Sequence, residues 1–451
     1  MTSHSSLDAV RAEISKISIS RPIGRVCGVE AGVIRLSGLD GQACIGDRIK
    51  VHRTSKTPLN GEVVQLQEGE LTMLPDGDLD GVALGDRASV NPPATISPSD
   101  SWIGRIIDPN GNPLDNRPLT RGLHSHALIT PPPAAAQRRG LGSRLTTGSA
   151  IFETLLPLVK GQRIGLFAGS GVGKSSLIGQ FAQNVDADIV IIAMIGERGR
   201  EVRHFVDDVL GDKGLSRSIV IAATSDQSAL IRRRCAWAAM AVAEHFRDQG
   251  KAVLLLADSI TRFAEAHREI AVAAGEAPVL RGHPPSSAPA IMSLCERAGP
   301  GKEGQGDITA VFSVLVAGSD MDEPIADILR GVLDGHVVLE RSIAERGRYP
   351  AVDILRSISR SLPAAATNEE NLLLSNARKL LGIYNRNETM ISAGLYTLGS
   401  DPEIDRAIKA WPDLDKFMSK VGTKSIKDSF NQLNLILRRS NSQNSSSSQS
   451  T

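Results

Sequence analysis

The sequence predicts an α/β protein whose parallel-sheet domain follows a small N-terminal β-barrel and precedes a C-terminal helical domain. Residues 21–95 form short β-branched runs separated by Gly and Asp turns every eight to twelve residues, which is typical of a small antiparallel barrel or sandwich. From about 161 to 360, continuous apolar runs alternate with helical stretches, as expected for parallel strands buried on both faces. After Pro363 the pattern becomes helical.

Composition excludes several classes of protein. The chain has 451 residues, of which 41% are hydrophobic and 22% charged, so it can bury a sizeable core and is neither a stapled mini-protein nor globally disordered. Lys and Arg total 51 against 50 Asp and Glu. This balance creates no overall field that would attract nucleic acid or an anionic membrane, so any binding role must come from local features.

The cysteines and the N-terminus indicate the compartment. Cys27, Cys44, Cys235 and Cys295 have no CxxC spacing, which disfavours a zinc site or a disulfide framework. We interpret them as buried small apolar residues in a reducing compartment. No apolar run approaches the roughly 18 residues of a membrane span, and the first residues lack a hydrophobic signal core. The sequence therefore predicts a cytoplasmic protein.

The first element, residues 1–20, is predicted to be an amphipathic helix. Its apolar residues Leu7, Val10, Ile14 and Ile17 follow the three- and four-residue spacing of one helix face. Such a single apolar face either packs on its own domain or binds the helix of a partner, and the sequence leaves both possibilities open.

The barrel at 21–95 contains no Phe, Tyr or Trp and holds eight Lys and Arg against ten Asp and Glu. A barrel that binds single-stranded nucleic acid needs stacking aromatics and a basic groove. We therefore interpret it as a packing collar and expect no nucleic-acid partner.

The remaining boundaries follow from composition. Pro-rich stretches predict that 96–145 is a connecting segment rather than more sheet. The α/β domain is assigned to 146–362 and the helical domain to 363–439. Residues 440–451 form a polar Ser-rich tail with nothing to bury, so this tail is predicted to be disordered.

A P-loop carries the strongest chemical signal. The run AGSGVGKSS follows the apolar run RIGLFA and precedes a helical stretch, and a chance Gly-rich turn rarely has both flanks. Lys174 is predicted to contact the β- and γ-phosphates of ATP, and the Ser175 hydroxyl to bind Mg²⁺. Ala168 replaces the first glycine of the general pattern. The predicted nucleotide-binding residues are Gly169, Ser170, Gly171, Val172, Gly173, Lys174, Ser175 and Ser176.

Two acidic residues follow buried strands of the same domain. Asp258 ends the run AVLLLAD and is predicted to hold Mg²⁺, although alone it could simply cap the next helix. Glu197 follows the run IVIIAMIG at the sheet edge where ligands bind. Hydrolysis needs a group that orients or deprotonates water, which makes Glu197 the candidate, with a solvated charged turn as the alternative.

Five motifs together resemble the flagellar export ATPases, also called flagellum-specific ATP synthases. They belong to the type III secretion branch of the rotary ATP synthase catalytic-subunit family. The resemblance covers about residues 21–420, and its motifs are AGSGVGKS, GERGRE, LLLADSITRFAEAHREIAVAAGE, RYPAVDILRSISR and ISAGLYTLGSDPEIDRAI. The segment Thr147–Glu153, TGSAIFE, departs from the family's usual T-G-x-[RK]-A-I-D.

The resemblance implies a barrel, a RecA-like nucleotide domain and a C-terminal helical domain, assembled as a homohexamer with Mg²⁺ and ATP between subunits. It gives Glu197 the place of the catalytic glutamate, Arg360 that of the arginine finger, and Tyr349 that of the adenine-stacking residue. Taken alone, Tyr349 could equally be core packing, and Arg360 could form a salt bridge within its own subunit.

The function implied is ATP hydrolysis that drives flagellum-specific type III protein export. The implied partners are the flagellar export gate, stalk and negative-regulator proteins, export substrates and their chaperones. The implied location of the protein is cytoplasmic, peripheral to the inner membrane at the flagellar base. Four alternatives remain open at this stage: a virulence-type injectisome ATPase, a proton-coupled ATP synthase subunit, a hexameric nucleic-acid translocase and a non-hydrolysing regulatory subunit. The intact Lys174, Glu197 and Asp258 disfavour the last of these.

Overall fold

The computed structural model describes residues 21–54, 56–279, 281–316, 321 and 323–441. The predicted N-terminal amphipathic helix, residues 1–20, lies outside the described residues, and so do residues 442–451 of the predicted tail.

Six antiparallel strands close the N-terminal barrel in the order β1-β2-β5-β4-β3-β6. Their side chains alternate between the barrel interior and solvent, so that Ile34 and Leu36 are fully buried while their strand neighbours are not. Gly61 has no room for a side chain, because a Cβ there would lie 2.3 Å from the carbonyl oxygen of Leu74. The strands are β1 (Ile23–Glu30), β2 (Val33–Ser37), β3 (Arg48–His52), β4 (Leu59–Gln67), β5 (Glu70–Pro75) and β6 (Arg87–Asn91).

The segment after the barrel differs from the prediction of a plain connector. It contains β7 (Thr95–Ile96), which pairs with β9 (His126–Ala127), and β8 (Arg105–Ile107), which adds a parallel edge strand to the large sheet. The fully buried Trp102 anchors the segment by donating from its indole nitrogen to the Thr120 carbonyl at 2.7 Å. A strand of three residues is too short to show a periodic pattern, so β8 could not be predicted from the sequence.

A nine-stranded sheet forms the central domain, in the order β17-β16-β10-β15-β13-β11-β12-β8 with β14 attached to β15. All neighbours are parallel except β14 and the edge strand β17, so the prediction of a parallel-sheet α/β domain is confirmed. The strands are β10 (Arg163–Ala168), β11 (Ile189–Glu197), β12 (Ser218–Thr224), β13 (Val253–Asp258), β14 (Gly299–Pro300), β15 (Asp307–Leu315), β16 (Gly335–Leu339) and β17 (Val352–Ser359).

Helices cover both faces of this sheet. Alternate residues of β11 point to opposite layers, Ile191 into one core and Ile192 into the other. A π-helical stretch, Phe205–Leu210, separates α3 from α4. The helices of the domain are α1 (Ala150–Glu153), α2 (Lys174–Asn184), α3 (Gly199–His204), α4 (Gly211–Leu215), α5 (Ala229–Asp248), α6 (Ile260–Ala273), α7 (Ser287–Arg297), α8 (Pro324–Val332) and α9 (Arg341–Glu345).

Three helices form the C-terminal domain: α10 (Asn368–Ser392), α11 (Pro402–Met418) and α12 (Ile426–Asn441). Their apolar faces join the same core as α2, so this domain packs directly on the large sheet's helical layer. Helix α12 continues two residues into the tail that was predicted to be disordered, because the Ser440 hydroxyl is buried and donates to the Leu437 carbonyl at 2.8 Å. Among the described helices, none is long and apolar enough to cross a membrane.

The four cysteines do not share one environment. Cys235 and Cys295 are buried as predicted, whereas Cys27 and Cys44 are exposed, so the prediction was wrong for these two. On β1 the alternation of the strand turns Val26 inward and therefore Cys27 outward.

Candidate nucleotide site

The P-loop connects the buried end of β10 to the first turn of α2. Gly171 and Gly173 have φ angles of 76° and 88°, a backbone region that favours glycine. The missing first glycine is accounted for, because Ala168 is the last residue of β10 and is fully buried within the sheet. The loop itself begins one residue later, at Gly169, so the substitution leaves the phosphate-binding turn unchanged.

The loop borders a cavity of about 1130 Å³, which we call the nucleotide cavity. Every residue from Ala168 to Ser176 lines it. Its remaining walls are formed by charged and polar groups and a few apolar ones: Gly196, Glu197, Arg198, Glu201, Ser225, Arg232, Thr261, Arg262, Glu265, Leu315, Val316, Glu323 and Arg341.

The three predicted catalytic and metal-binding charges lie together at the carboxyl ends of neighbouring parallel strands. The ammonium of Lys174 forms an ion pair with the Asp258 carboxylate and lies 3.9 Å from Oε1 of Glu197. Asp258 is only 2% exposed. Its Oδ1 also accepts a hydrogen bond from the Ser313 hydroxyl at 2.6 Å. Lys174 and Asp258 therefore neutralise each other.

Glu197 has an unusual protonation equilibrium. Burial disfavours its charged form, and the nearby Asp258 carboxylate adds repulsion, while Lys174 acts in the opposite direction. Together they raise the pKa of Glu197 from 4.5 to about 7. A carboxyl group with a pKa near neutrality is suited to accept a proton from water, so the site has the properties of a general base.

The residues present suit a magnesium ion that arrives with a nucleotide. Among the described residues there is no group of three or more His, Cys, Asp or Glu that could hold a metal alone. Magnesium commonly binds one or two protein oxygens together with substrate phosphates and water. Ser175, at the start of α2, and Asp258 supply that kind of donor set beside the P-loop.

Tyr349 lies against the P-loop of its own chain. A Cβ added to Gly173 would be 3.1 Å from two atoms of the Tyr349 ring. Half of this tyrosine is exposed, so it is not part of the packed core. The ring is thus available beside the nucleotide cavity.

Arg360 is not brought to the P-loop of its own chain. Ala168, at the end of β10, pairs with Leu339 at the carboxyl end of β16. Arg360 follows Ser359, which pairs with Gly335 at the amino end of β16. Its guanidinium donates to the carbonyls of Leu333 at 2.9 Å and Arg330 at 3.0 Å. It forms no salt bridge with any residue in the described part of the chain.

Some residues of the site were missed by sequence reasoning. Arg232 and Arg262 line the nucleotide cavity, and they contact Glu269 at 2.6 Å and Glu265 at 2.8 Å respectively. Ser313 supports Asp258 and was also missed, although a polar residue within the apolar run ITAVFSVLVA was a usable signal. Nothing in the sequence distinguished Arg232 and Arg262 from the many other arginines of the chain.

The fold and the cavity define a P-loop nucleotide-binding protein with a barrel before and helices after the parallel sheet. The family described as the ATP synthase alpha/beta family, nucleotide-binding domain, matches residues 148–359. The family described as the T3SS EscN ATPase C-terminal domain matches residues 366–434.

Curated relatives align with almost the whole chain. The flagellum-specific ATP synthase of Caulobacter vibrioides is 43% identical over 95% of this chain and 98% of its own length. That of Salmonella typhimurium is 41% identical over 92% of this chain and 93% of its own length. The chain therefore belongs to the flagellum-specific ATP synthase family, an ATPase group within the ATP synthase alpha/beta family.

Solved structures share the complete architecture. The assembled ATPase EscN of the enteropathogenic E. coli type III secretion system superimposes with a TM-score of 0.83 at 35% identity, over 92% of this chain and all of EscN. EscN in complex with its central stalk EscO also gives a TM-score of 0.83, at 36% identity.

Proposed function

We propose that the protein hydrolyses Mg·ATP and uses the energy to drive flagellum-specific type III protein export. The observation that carries this proposal is the grouping of Lys174, Glu197 and Asp258 around one P-loop. The flagellum-specific relatives support the export role, since they align over nearly their full length. The EscN structures belong to a different type III secretion system, which keeps an injectisome role as the alternative.

Binding begins with an exchange of partners at Lys174. The ATP phosphates, cradled by the backbone N–H groups of the P-loop, draw the ammonium away from Asp258. Asp258 and the Ser175 hydroxyl would hold the Mg²⁺ that arrives with the nucleotide. The ion, when bound, neutralises charge on the phosphate oxygens. Tyr349 offers its exposed ring to the adenine base.

Glu197 orients the attacking water and accepts its proton. Its pKa of about 7 means that a large part of the population is ionised at neutral pH and can act as a base. Displacement of the Lys174 ammonium towards the phosphates removes the charge that stabilises the ionised form, which increases the basicity of Glu197 during the reaction.

Arg360 completes the site of a neighbouring subunit in a homohexamer. Within its own chain Arg360 lies at the amino ends of the parallel strands, and the P-loop lies at their carboxyl ends. A role in catalysis therefore requires a second copy of the chain. We further propose a central stalk protein as partner by analogy with EscN and EscO, together with the export gate, negative regulator, substrates and chaperones.

The hydrolysis proposal is tested with the substitution Lys174→Ala in the full chain. It is expected to abolish ATP turnover in the presence of Mg²⁺, because no ammonium remains to contact the phosphates, and the circular dichroism spectrum checks that the fold is retained. Lys160→Ala, on the turn before β10, is the matched control and should keep wild-type turnover. Near-normal activity of the Lys174→Ala protein would remove the P-loop assignment.

The export proposal is tested in cells lacking the endogenous gene. Wild-type protein is expected to restore secretion of flagellar subunits, and the Lys174→Ala protein to restore little of it. Rescue of an injectisome strain but not of a flagellar strain would overturn the flagellar assignment in favour of the alternative.

A further inference from the structure

A second cavity lies between the barrel and the segment that leads into the large sheet, and none of its walls belongs to the nucleotide cavity. Its volume is about 370 Å³. We call it the barrel cavity. Its polar wall consists of two arginines, three asparagines and a threonine, namely Arg48, Asn60, Thr95, Asn110, Asn112 and Arg121.

Arg48, on β3, carries a charge that has no direct counter-ion. Its half-buried guanidinium forms no hydrogen bond or salt bridge with any residue among those the structure describes. Burial lowers the pKa of Arg48, and the neighbouring Arg234 lowers it further, while attraction from Asp76 and Glu62 acts in the opposite direction. Because arginine stays protonated at neutral pH even so, the cavity holds a positive charge without a bonded acceptor.

Each carboxylate close to the cavity has a direct contact other than Arg48, although the buried Oδ1 of Asp76 accepts no hydrogen bond from the described residues. Glu62 accepts a hydrogen bond from Arg233 at 2.7 Å, and Asp76 lies 3.5 Å from Arg234. Asp108 accepts hydrogen bonds from the backbone N–H groups of the turn that follows it. None of the three is in hydrogen-bonding contact with Arg48.

Two amide side chains add neutral donors to the same wall. The amide oxygen of Asn110 accepts a hydrogen bond from Arg234 at 3.3 Å, which leaves the amide nitrogen as the free end of the group. The side chain of Asn60 forms no hydrogen bond with the described residues. Donors of this kind, next to a guanidinium, form a site that suits oxygen anions rather than cations or apolar groups.

We propose that the barrel cavity binds a small oxyanion, a phosphate or carboxylate group, through Arg48, Asn60 and Asn110. The planar guanidinium can donate two parallel hydrogen bonds to such a group. The cavity volume lies at the lower end of the range of small-ligand sites, which fits a compact polar ligand.

Isothermal titration calorimetry with inorganic phosphate tests the proposal on the full-length Lys174→Ala protein, in which loss of the ammonium weakens phosphate binding at the P-loop. Adding Arg48→Gln is expected to weaken phosphate binding at least tenfold. Adding Arg87→Gln instead, an exposed arginine on β6 of the same barrel, is expected to leave the affinity unchanged. Citrate titrated in parallel distinguishes a carboxylate ligand from a phosphorylated one, and either anion supports the site.

Equal affinity in the Arg48→Gln and Arg87→Gln proteins would overturn the proposal, and so would the absence of binding by both anions. Should the Arg48→Gln protein fail to fold, Asn60→Leu provides the second variant, because it removes a donor without changing charge. It is expected to weaken binding severalfold, and unchanged binding in that variant counts against the site equally.

Discussion

At the residue scale, the chemistry of the nucleotide cavity depends on one crowded group of charges. Two carboxylates share a single ammonium, and the shorter contact goes to Asp258, so Glu197 receives less stabilisation than its neighbour. This inequality separates the roles of the two acids. Asp258 holds the direct ion pair and is the proposed metal ligand, whereas Glu197 has a pKa of about 7, close to neutrality.

Substituting Glu197→Gln is expected to preserve Mg·ATP binding but to lower the hydrolysis rate by about 10²- to 10⁴-fold, because the amide keeps the shape and cannot accept the proton. Nucleotide affinity and single-turnover rate are the measurements. Glu303→Gln, at an exposed loop position outside the nucleotide cavity, is the control and should retain most of the activity. A parallel loss of affinity and rate would instead assign Glu197 a structural role.

The raised pKa of Glu197 also makes stability depend on pH. The pKa is higher in the folded protein, about 7, than the ordinary 4.5, so this group contributes most to stability below pH 4.5 and its contribution is lost as the pH rises through 7. We therefore expect Glu197→Gln to stabilise the nucleotide-free protein by about 1–2 kcal/mol at pH 8, with less effect at pH 5.

Thermal unfolding at the two pH values measures this effect. The exposed Glu303→Gln protein serves as the control, because a loop carboxylate far from the cavity should show no such pH-dependent difference. An unchanged midpoint for Glu197→Gln at pH 8 would contradict the predicted linkage.

At the scale of elements, the short helix α1 joins the nucleotide domain to the C-terminal helices. Its Glu153 is completely buried and accepts hydrogen bonds from the Gly148 backbone at 3.1 Å and from the Ser429 hydroxyl of α12 at 2.6 Å. The segment that departs from the usual family pattern thus provides a polar contact between two domains.

Removing this contact with Ser429→Ala is expected to lower stability by about 1–3 kcal/mol, because a buried carboxyl oxygen loses its donor. Differential scanning calorimetry should show a lower unfolding temperature for the C-terminal helices. The control is Ser392→Ala at the exposed end of α10, which should have no effect. Identical thermograms for Ser429→Ala and wild type would show that this contact is dispensable.

The sequence was sufficient for elements with a strong periodic or motif signal. Buried parallel strands produce continuous apolar runs, and the P-loop has fixed spacing, so the sheet, the loop and the neighbouring Asp258 could all be predicted. The edge strand β8 and the outward orientation of Cys27 could not, because three residues show no period and strand register depends on distant partners. The same applies to Ser429, which lies 276 residues from Glu153 along the chain.

At the scale of the whole molecule, the P-loop and the predicted arginine finger lie at opposite ends of the strands of the large sheet. The P-loop lies at the carboxyl ends of the parallel strands, and Arg360 lies at their amino ends after the antiparallel strand β17. Sequence motifs could identify both features but could not reveal that they face away from each other. That separation is the physical reason for expecting catalysis to need more than one chain.

Arg360→Ala is therefore expected to bind ATP nearly normally yet to hydrolyse it about 10³- to 10⁵-fold more slowly. Mixing it with Lys174→Ala protein should restore activity, because roughly a quarter of randomly formed interfaces pair an intact P-loop with an intact Arg360. Steady-state ATPase rates of the mixture measure the rescue. Absence of rescue in rings shown to contain both variants would place the action of Arg360 within its own subunit or exclude it from catalysis.

The ion pair between Lys174 and Asp258 has a consequence for the form of nucleotide that the pocket accepts. Once the ammonium turns to the phosphates, the buried Asp258 loses its counter-ion. ATP without metal would then add negative charge beside an unpaired carboxylate, whereas ATP that enters with a divalent cation restores the balance. The pocket is therefore expected to bind metal-free ATP much more weakly than Mg·ATP, so the concentration of free Mg²⁺ determines how much of the ATP can bind.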